Sequence, residues 1–204
     1  MKAINLFNQW VDLGKDEGMQ LNHSASVNHM LEMVSNQVEN SKFRFFDIGC
    51  GNGWLVKKLA VFANCYEAVG IDGAKKMIKK AQLNDPSSSY LNLDINYLQS
   101  YNSPFDIIFS MEVFYYLQSP ENIIEHVYSN LLNKGGVFVL GMDHYTENKP
   151  SLAWPNDLQV ELCTYSILQW QEIFITAGFS NISVSQFGNK DDWSGTLILY
   201  GEKL

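Results

Sequence analysis

The apolar residues Phe43, Phe45, Phe46 and Ile48 run into three glycines spaced two apart, Gly49, Gly51 and Gly53, and a helical pattern of Leu55, Leu59 and Phe62 follows at once. No other stretch of the 204 residues constrains the fold as tightly. A buried strand has to stop here and the chain has to turn sharply into a helix. Glycine permits the positive φ angles such a turn requires, and it leaves bare main chain against which a ligand can lie. Asp47, at the end of the strand, sets a carboxylate beside that surface.

Downstream the pattern alternates. Ala68-Val69-Gly70-Ile71 is a short buried strand ending at Asp72, and Met77, Ile78 and Ala81 mark a helix closed by Asp85-Pro86-Ser87-Ser88-Ser89. Tyr90-Leu91-Asn92-Leu93 is a third strand, ending at Asp94. Phe105 to Phe109 is a fourth, with Ser110-Met111-Glu112 at its tip. A helix from about Pro120 to Leu132 stops at Lys134-Gly135-Gly136, and Val137 to Leu140 form a fifth strand. Tyr165 to Ala177 is helical and closed by Gly178, and Ile182 to Ser185 and Thr196 to Tyr200 are two terminal strands.

Strand–helix alternation predicts an α/β fold, a parallel sheet covered by helices on both faces. Ligands of such sheets bind outside the carboxyl ends of the strands, near the point where strand order reverses. Asp47 with the glycines, Asp72, Asp94 and Ser110 to Glu112 all fall at such ends and are expected to converge on one cleft.

Before the first strand, Met1 to about Val38 reads as helical, with Val27, Leu31, Val34 and Val38 on one face. Leu13-Gly14-Lys15-Asp16-Glu17-Gly18-Met19 reads as a loop between two helical parts, with His23 shortly after. Residues 1–40 are expected to act as a cap or lid, with Met19 meeting whatever the cleft holds; a plain surface connection is the alternative. Met142 to Thr164 is too long for an ordinary connection and is expected, over 143–164, to be an insertion facing a substrate.

Bulk properties narrow the choice. The length suits one domain spanning 1–204, and no apolar run approaches the roughly 20 residues of a membrane span. The start is too polar for a secretory signal, so a cytoplasmic protein is expected. Three widely spaced cysteines, without Cys/His ligand spacing, suggest neither a disulfide framework nor a metal site. A net charge of −8 argues against nucleic acid as the main partner. Lys75, Lys76, Lys79 and Lys80 form one local exception, either a solvated helix face or a phosphate patch.

A glycine turn after a strand also opens dinucleotide-binding folds, but their G-x-G-x-x-G/A fingerprint needs a small residue where this chain has Trp54. A nicotinamide oxidoreductase is disfavoured on that ground. Asp47-Ile48-Gly49-Cys50-Gly51-Asn52-Gly53 instead resembles the first motif of the class I S-adenosylmethionine-dependent methyltransferases. Gly70-Ile71-Asp72 with Met77-Ile78, Asp94, Phe105 to Ser110, and Leu131 to Gly136 resemble that family's later motifs, in order, over about Phe43 to Met142.

The resemblance implies a seven-stranded, mostly parallel, doubly wound sheet with an antiparallel last strand and an N-terminal helical extension. It implies S-adenosyl-L-methionine as cofactor and S-adenosylhomocysteine as product. Residue by residue, Asp47 and the Gly49, Cys50, Gly51 and Gly53 turn would face the methionine part, and Asp72 the ribose hydroxyls. Gly73, Ala74 and Met77 would line the adenine, with Asp94 accepting from its amine and the Ile95 backbone serving a ring nitrogen. Ser110 and Met111 complete the cofactor set. Gly73 departs from the family, which often has a larger side chain there. For Asp72 and Asp94, helix capping is the competing reading.

Methyl transfer from a sulfonium needs mainly positioning in a dry cleft, and a base only where the acceptor carries a proton that must leave. Glu112, Tyr115 and His144 are the catalytic candidates. Glu112 reads equally as a helix-start carboxylate, and His144 as a structural histidine. Tyr115, Tyr116 and Trp154 suit an aromatic acceptor pocket; Trp10 and Trp170 read as core, and Trp193 as turn packing. With no Pro-Pro-Tyr signature after the fourth strand and no Pro-Cys nucleophile, a small-molecule acceptor is the expectation. An RNA or protein methyltransferase and a non-catalytic cofactor-binding module are the alternatives.

Overall fold

The computed structural model describes residues 2–99, 101 and 103–204; Met1, where the expected helical stretch begins, lies outside the described residues. Helices α1 (Ala3–Asp12), α2 (Lys15–Glu32) and α3 (Ser35–Asn40) precede β1 (Phe43–Ile48). There follow α4 (Trp54–Ala60), β2 (Cys65–Asp72), α5 (Lys75–Asn84), β3 (Ser89–Asn92), β4 (Phe105–Met111), α6 (Pro120–His126) and β5 (Leu132–Met142). The chain ends with α7 (Trp154–Leu158), α8 (Ile167–Ala177), β6 (Ser180–Phe187) and β7 (Thr196–Glu202).

The strands form one seven-stranded sheet in the order β3-β2-β1-β4-β5-β7-β6. β1 pairs in parallel with β2 and β4, and β7 is antiparallel to both β5 and β6. Strand order therefore reverses between β1 and β4, which opens a crevice at their carboxyl ends. Alternation along the strands builds a core on each face. Phe43, Phe45, Ile107, Phe109 and Val139 meet α2, α4 and α5 on one side, while Phe46, Ile48, Ile108, Phe138 and Leu140 meet α6 and α8 on the other. Helix α8 starts at a capping box, Ser166 with Gln169, and ends at Gly178 at φ 104°.

The N-terminal segment departs from its sequence reading in one respect. The expected loop at 13–19 shrinks to Leu13-Gly14, with Gly14 at φ 66°, and Met19 and His23 sit within α2. Asp16 and Glu17 in the first turn of α2 offset the exposed amide dipoles there, and this favours helix despite Gly18. The side chains of Val27, Met30, Val34 and Val38 are buried, Met30 against Gly141 of β5, so this face is part of the core. Burying each such side chain contributes about 1.5–3 kcal/mol.

The lysine row on α5 is only partly a solvated face. Lys76 pairs with Asp12 at 2.5 Å, and Lys80 with Asp16 at 2.7 Å and Glu17 at 3.0 Å. Two of the four lysines thus clamp α1 and α2 onto α5. Trp10, expected in the core, is half-exposed and packs edge-on against Phe7, whereas Trp170 is fully buried. Among the described residues no helix is long and apolar enough to cross a membrane.

Candidate active site

The turn after β1 is held by β2: the Gly49 and Cys50 amides both donate to the Ile71 carbonyl, at 2.8 and 2.9 Å. The three glycines serve different ends. A Cβ at Gly53 (φ 80°) would come within 2.9 Å of Tyr90 and Ala81, and one at Gly49 would strike Val113, so these two let other elements pack closely. Gly51 (φ 53°) faces open space, and its amide donates to Asp72 Oδ2 at 3.0 Å. Asp72 Oδ1 accepts from the Ala74 amide at 2.7 Å. The Asp72 carboxylate therefore ties the first turn to the second, and each of its oxygens keeps a lone pair for a ligand.

A cleft with about 550 Å³ of empty space, partly open to solvent, lies over this turn. Of the residues singled out in the sequence, Met19, Asp47, Gly49, Cys50, Gly51, Met77, Met111 and Glu112 line it, whereas Gly53 and Asp72 do not. Asp16, Gln20, His23, Asn52, Trp54 and Leu55 line it too, which the sequence reading missed. Asp16 falls in the stretch expected to be a loop and His23 just beyond it, and only their placement on one helix, α2, turns both toward the cleft. Trp54, which disfavoured a dinucleotide, opens α4 at the cleft's edge.

The cleft is acidic. Asp47 is 4% exposed and lines the cleft. Burial, and then the nearby Asp72 charge, push its pKa up to about 8; burial raises Asp72 to about 6. Asp16 is buried with Asn52 Nδ2 at 3.3 Å from Oδ2, and Oδ1 is unpartnered. A cationic ligand fits such a wall better than a neutral or anionic one.

Several expected site residues lie elsewhere, and Cys50 meets the cleft without offering its thiol. Ser110 is fully buried and donates to the Ile48 carbonyl at 2.7 Å, bracing β4 against β1. The Cys50 side chain turns into the core against Gly70, where burial pushes its thiol up. Gly73, Asp94 and Ile95 sit outside the cleft: Ile4 of α1 lies 2.7 Å from where a Gly73 Cβ would be, so the N-terminal helix covers this end. Asp94 Oδ1 caps the Ile95–Tyr97 turn through the Asn96 amide, at 3.0 Å. The capping reading thus holds for that oxygen.

The catalytic candidates divide. Glu112 is buried at φ 61°, in the left-handed region, with Oε1 accepting from the Asp143 amide and Oε2 from the Tyr115 hydroxyl. Burial and then the Asp143 charge hold its pKa well above the carboxylate range. Tyr115 lies behind Glu112 and does not line the cleft. His144 is fully buried, its Nδ1 3.0 Å from the Ser151 carbonyl and its Nε2 2.8 Å from Thr164 Oγ1. Both ring nitrogens are engaged within the 143–164 segment. His144 therefore braces that segment rather than facing the cleft, because a fully satisfied imidazole has no free nitrogen for a substrate.

A family model described as "Methyltransferase domain" matches residues 46–140. The chain is 30% identical over 112 residues to the mitochondrial ubiquinone biosynthesis O-methyltransferase of Saccharomyces cerevisiae, covering 53% of this chain and 35% of that protein. It is 34% identical over 104 residues to a tRNA U34 carboxymethyltransferase of Pseudomonas fluorescens, covering 48% and 31%. The chain thus spans about a third of the length of these curated relatives. Among solved structures, an S-adenosylmethionine-dependent methyltransferase of Thermotoga maritima, described as a possible histamine N-methyltransferase, superposes with a TM-score of 0.75 at 18% identity. That match covers 98% of this chain and 99% of the other.

Proposed function

Because the chain belongs by fold, and by its domain match over residues 46–140, to the class I S-adenosylmethionine-dependent methyltransferases, we propose that it binds S-adenosylmethionine in the cleft under α2 and methylates a small-molecule acceptor. The observation that carries this reading is the buried Asp47 at the cleft wall, beside a Gly51 surface free of side chains. Such a wall suits a ligand that brings an ammonium and a sulfonium.

When bound, S-adenosylmethionine supplies a methyl group on a sulfonium, displaced in line by a nucleophile. The residues of this chain supply position. Asp47 and Asp16 offer carboxylates to the methionine end, and Asp72 offers its remaining lone pairs to the ribose hydroxyls. Met19, Met77 and Met111 give an apolar lining that excludes water. Gly73, Asp94 and the Ile95 backbone serve the adenine only once α1 and its Ile4 yield, so residues 1–40 act as a lid over the site. Glu112, set at the cleft's inner wall and oriented by Tyr115, faces the acceptor.

A small acceptor is favoured over RNA by the net charge of −8, by the acidic lining, and by the pairing of Lys76 and Lys80 within the protein. The 143–164 segment, where the Trp154 ring stacks on His144 and tilts against Trp193, contributes no residue to the cleft lining, so its role toward an acceptor is a proposal that rests on its length alone. Calorimetry with S-adenosylhomocysteine tests the cofactor, and cofactor-dependent mass gain in a metabolite pool tests the acceptor. Turnover restricted to tRNA or protein would refute the small-molecule assignment.

A further inference from the structure

Three side chains meet at and just behind the inner wall of the cleft. His23 of α2, Glu112 at the tip of β4 and Asp143 just beyond β5 each offer one ligand atom, and these atoms lie within 4.8 Å of one another. Glu112 and Asp143 are 8% and 7% exposed, and among the described residues neither is paired with a lysine or arginine. Asp143 Oδ1 is buried without a hydrogen-bond partner, a state that costs a charged group more than the roughly 1–3 kcal/mol of a neutral one.

His23 Nε2 stands 3.7 Å from Asp143 Oδ2. That is too long for a hydrogen bond. It matches two ligands on one ion, since bonds of roughly 2.0–2.2 Å at tetrahedral or wider angles span roughly 3.3–4 Å. The scaffold around the group is over-determined. The Glu112 amide donates to the Gly141 carbonyl at 3.0 Å, its carboxylate accepts from Asp143 and Tyr115, and these bonds hold a φ of 61° that costs a residue with a side chain about 1–3 kcal/mol.

We propose that His23, Glu112 and Asp143 bind one divalent transition-metal ion of the zinc or manganese type at the inner wall of the cleft. One imidazole and two carboxylates form a donor set suited to such ions, and a double positive charge offsets two buried carboxylates whose only ion-pair partner among the described residues is His23. His23 and Glu112 line the cleft, so the ion is within reach of a molecule bound there. A role for it in polarising an acceptor rests on the methyltransferase reading; ion binding does not.

The test uses the full chain stripped with EDTA and free of any S-adenosyl compound. MnCl2 is titrated with the free Mn(II) signal followed by electron paramagnetic resonance, and ZnSO4 by calorimetry. One ion per chain is expected for at least one metal, with affinity lowered about tenfold or more in His23→Ala and in Asp143→Asn. His23→Ala is the cleaner variant, because the part-exposed ring leaves the Glu112 hydrogen bonds intact. Failure of both metals to bind at one per chain overturns the proposal, and so does binding that His23→Ala retains in full, which would place the ion on other ligands. S-adenosylhomocysteine calorimetry on the metal-free chain reports separately on the cofactor reading, so either can fail alone.

Discussion

Replacing Lys80 by Met removes the charge that holds the N-terminal helices down and keeps the aliphatic stem. Lys80 Nζ lies 2.7 Å from Asp16 Oδ2, and the Asp16 side chain is 1% exposed while that of Lys80 is 25% exposed. At an effective dielectric constant of about 20 the attraction is roughly 6 kcal/mol, most of it offset by the cost of taking both charges out of water. Breaking a fully buried pair from one side costs about 3–5 kcal/mol. Discounting for the exposed quarter of Lys80 gives about 2–3 kcal/mol. Asp16 has little to fall back on, since Oδ1 is already unpartnered and Oδ2 retains only Asn52. The loss falls on α1 and the start of α2, because Val27 and Met30 keep the rest of α2 in the core. Deuterium exchange of peptides covering residues 10–24 is therefore expected to quicken by about 30- to 100-fold, at about 1.4 kcal/mol per decade. Glu17→Gln is the control: the Glu17 side chain is 71% exposed, and its loss is expected to cost under about 0.5 kcal/mol. Unchanged protection in Lys80→Met, or an equal effect from Glu17→Gln, would show that the clamp is not electrostatic.

Asp47, at about 8 when folded against about 3.9 when unfolded, binds a proton in the folded state that the unfolded chain has lost. Stability therefore falls as pH rises from about 6.5 to 8, above the range where the lowered His23 and His144 act in the opposite sense, by at most about 1.4 kcal/mol per pH unit per group; Asp47→Asn should lessen the fall of the thermal midpoint over that range, with the raised Glu112 supplying what remains. By the same linkage, S-adenosylmethionine binding at pH 7 is expected to release protons, seen as calorimetric enthalpies that vary with the buffer, and a buffer-independent enthalpy counts against Asp47 facing the cation. Gly53→Ala forces a side chain at φ 80° against Tyr90 and Ala81 and should destabilise by about 2–4 kcal/mol, whereas Gly51→Ala meets open space, costs about 1 kcal/mol, and should chiefly weaken cofactor binding. Chemical denaturation beside calorimetry separates those two outcomes. S-adenosylhomocysteine is expected to change deuterium exchange in residues 3–24, because Ile4 must leave Gly73 for the adenine to enter; identical exchange with and without ligand would rule out the lid.

The sheet and its order of elements were legible because they follow from short-range signals. A period of two marks a strand, a period of 3.6 marks a helix, and glycine or proline marks the breaks. The strand-to-helix turn at Gly49–Gly53 belongs to this class, and so does Asp72, whose carboxylate reaches a partner only 21 residues away at Gly51. The functions of individual side chains were less legible. Ser110, His144 and the Asp94 Oδ1 atom sit at plausible positions in the chain, yet their polar atoms are taken up by Ile48, by Ser151 and Thr164, and by Asn96.

The α/β sheet, a ligand cleft at the carboxyl ends of its strands, and the glycine surface with an acid at its edge could be read from the chain alone, since each is written within a few dozen residues by backbone preference and hydrophobic period; the reversal between β1 and β4 could not. Only the tertiary structure decided that α1 covers Gly73, that Asp16 is clamped by Lys80 from 64 residues away, and that His23, Glu112 and Asp143 stand within 4.8 Å of one another. Those contacts depend on how α2 settles across the ends of β4 and β5. That placement is fixed by shape and buried area over the whole core, for which no local pattern in the chain is a sign.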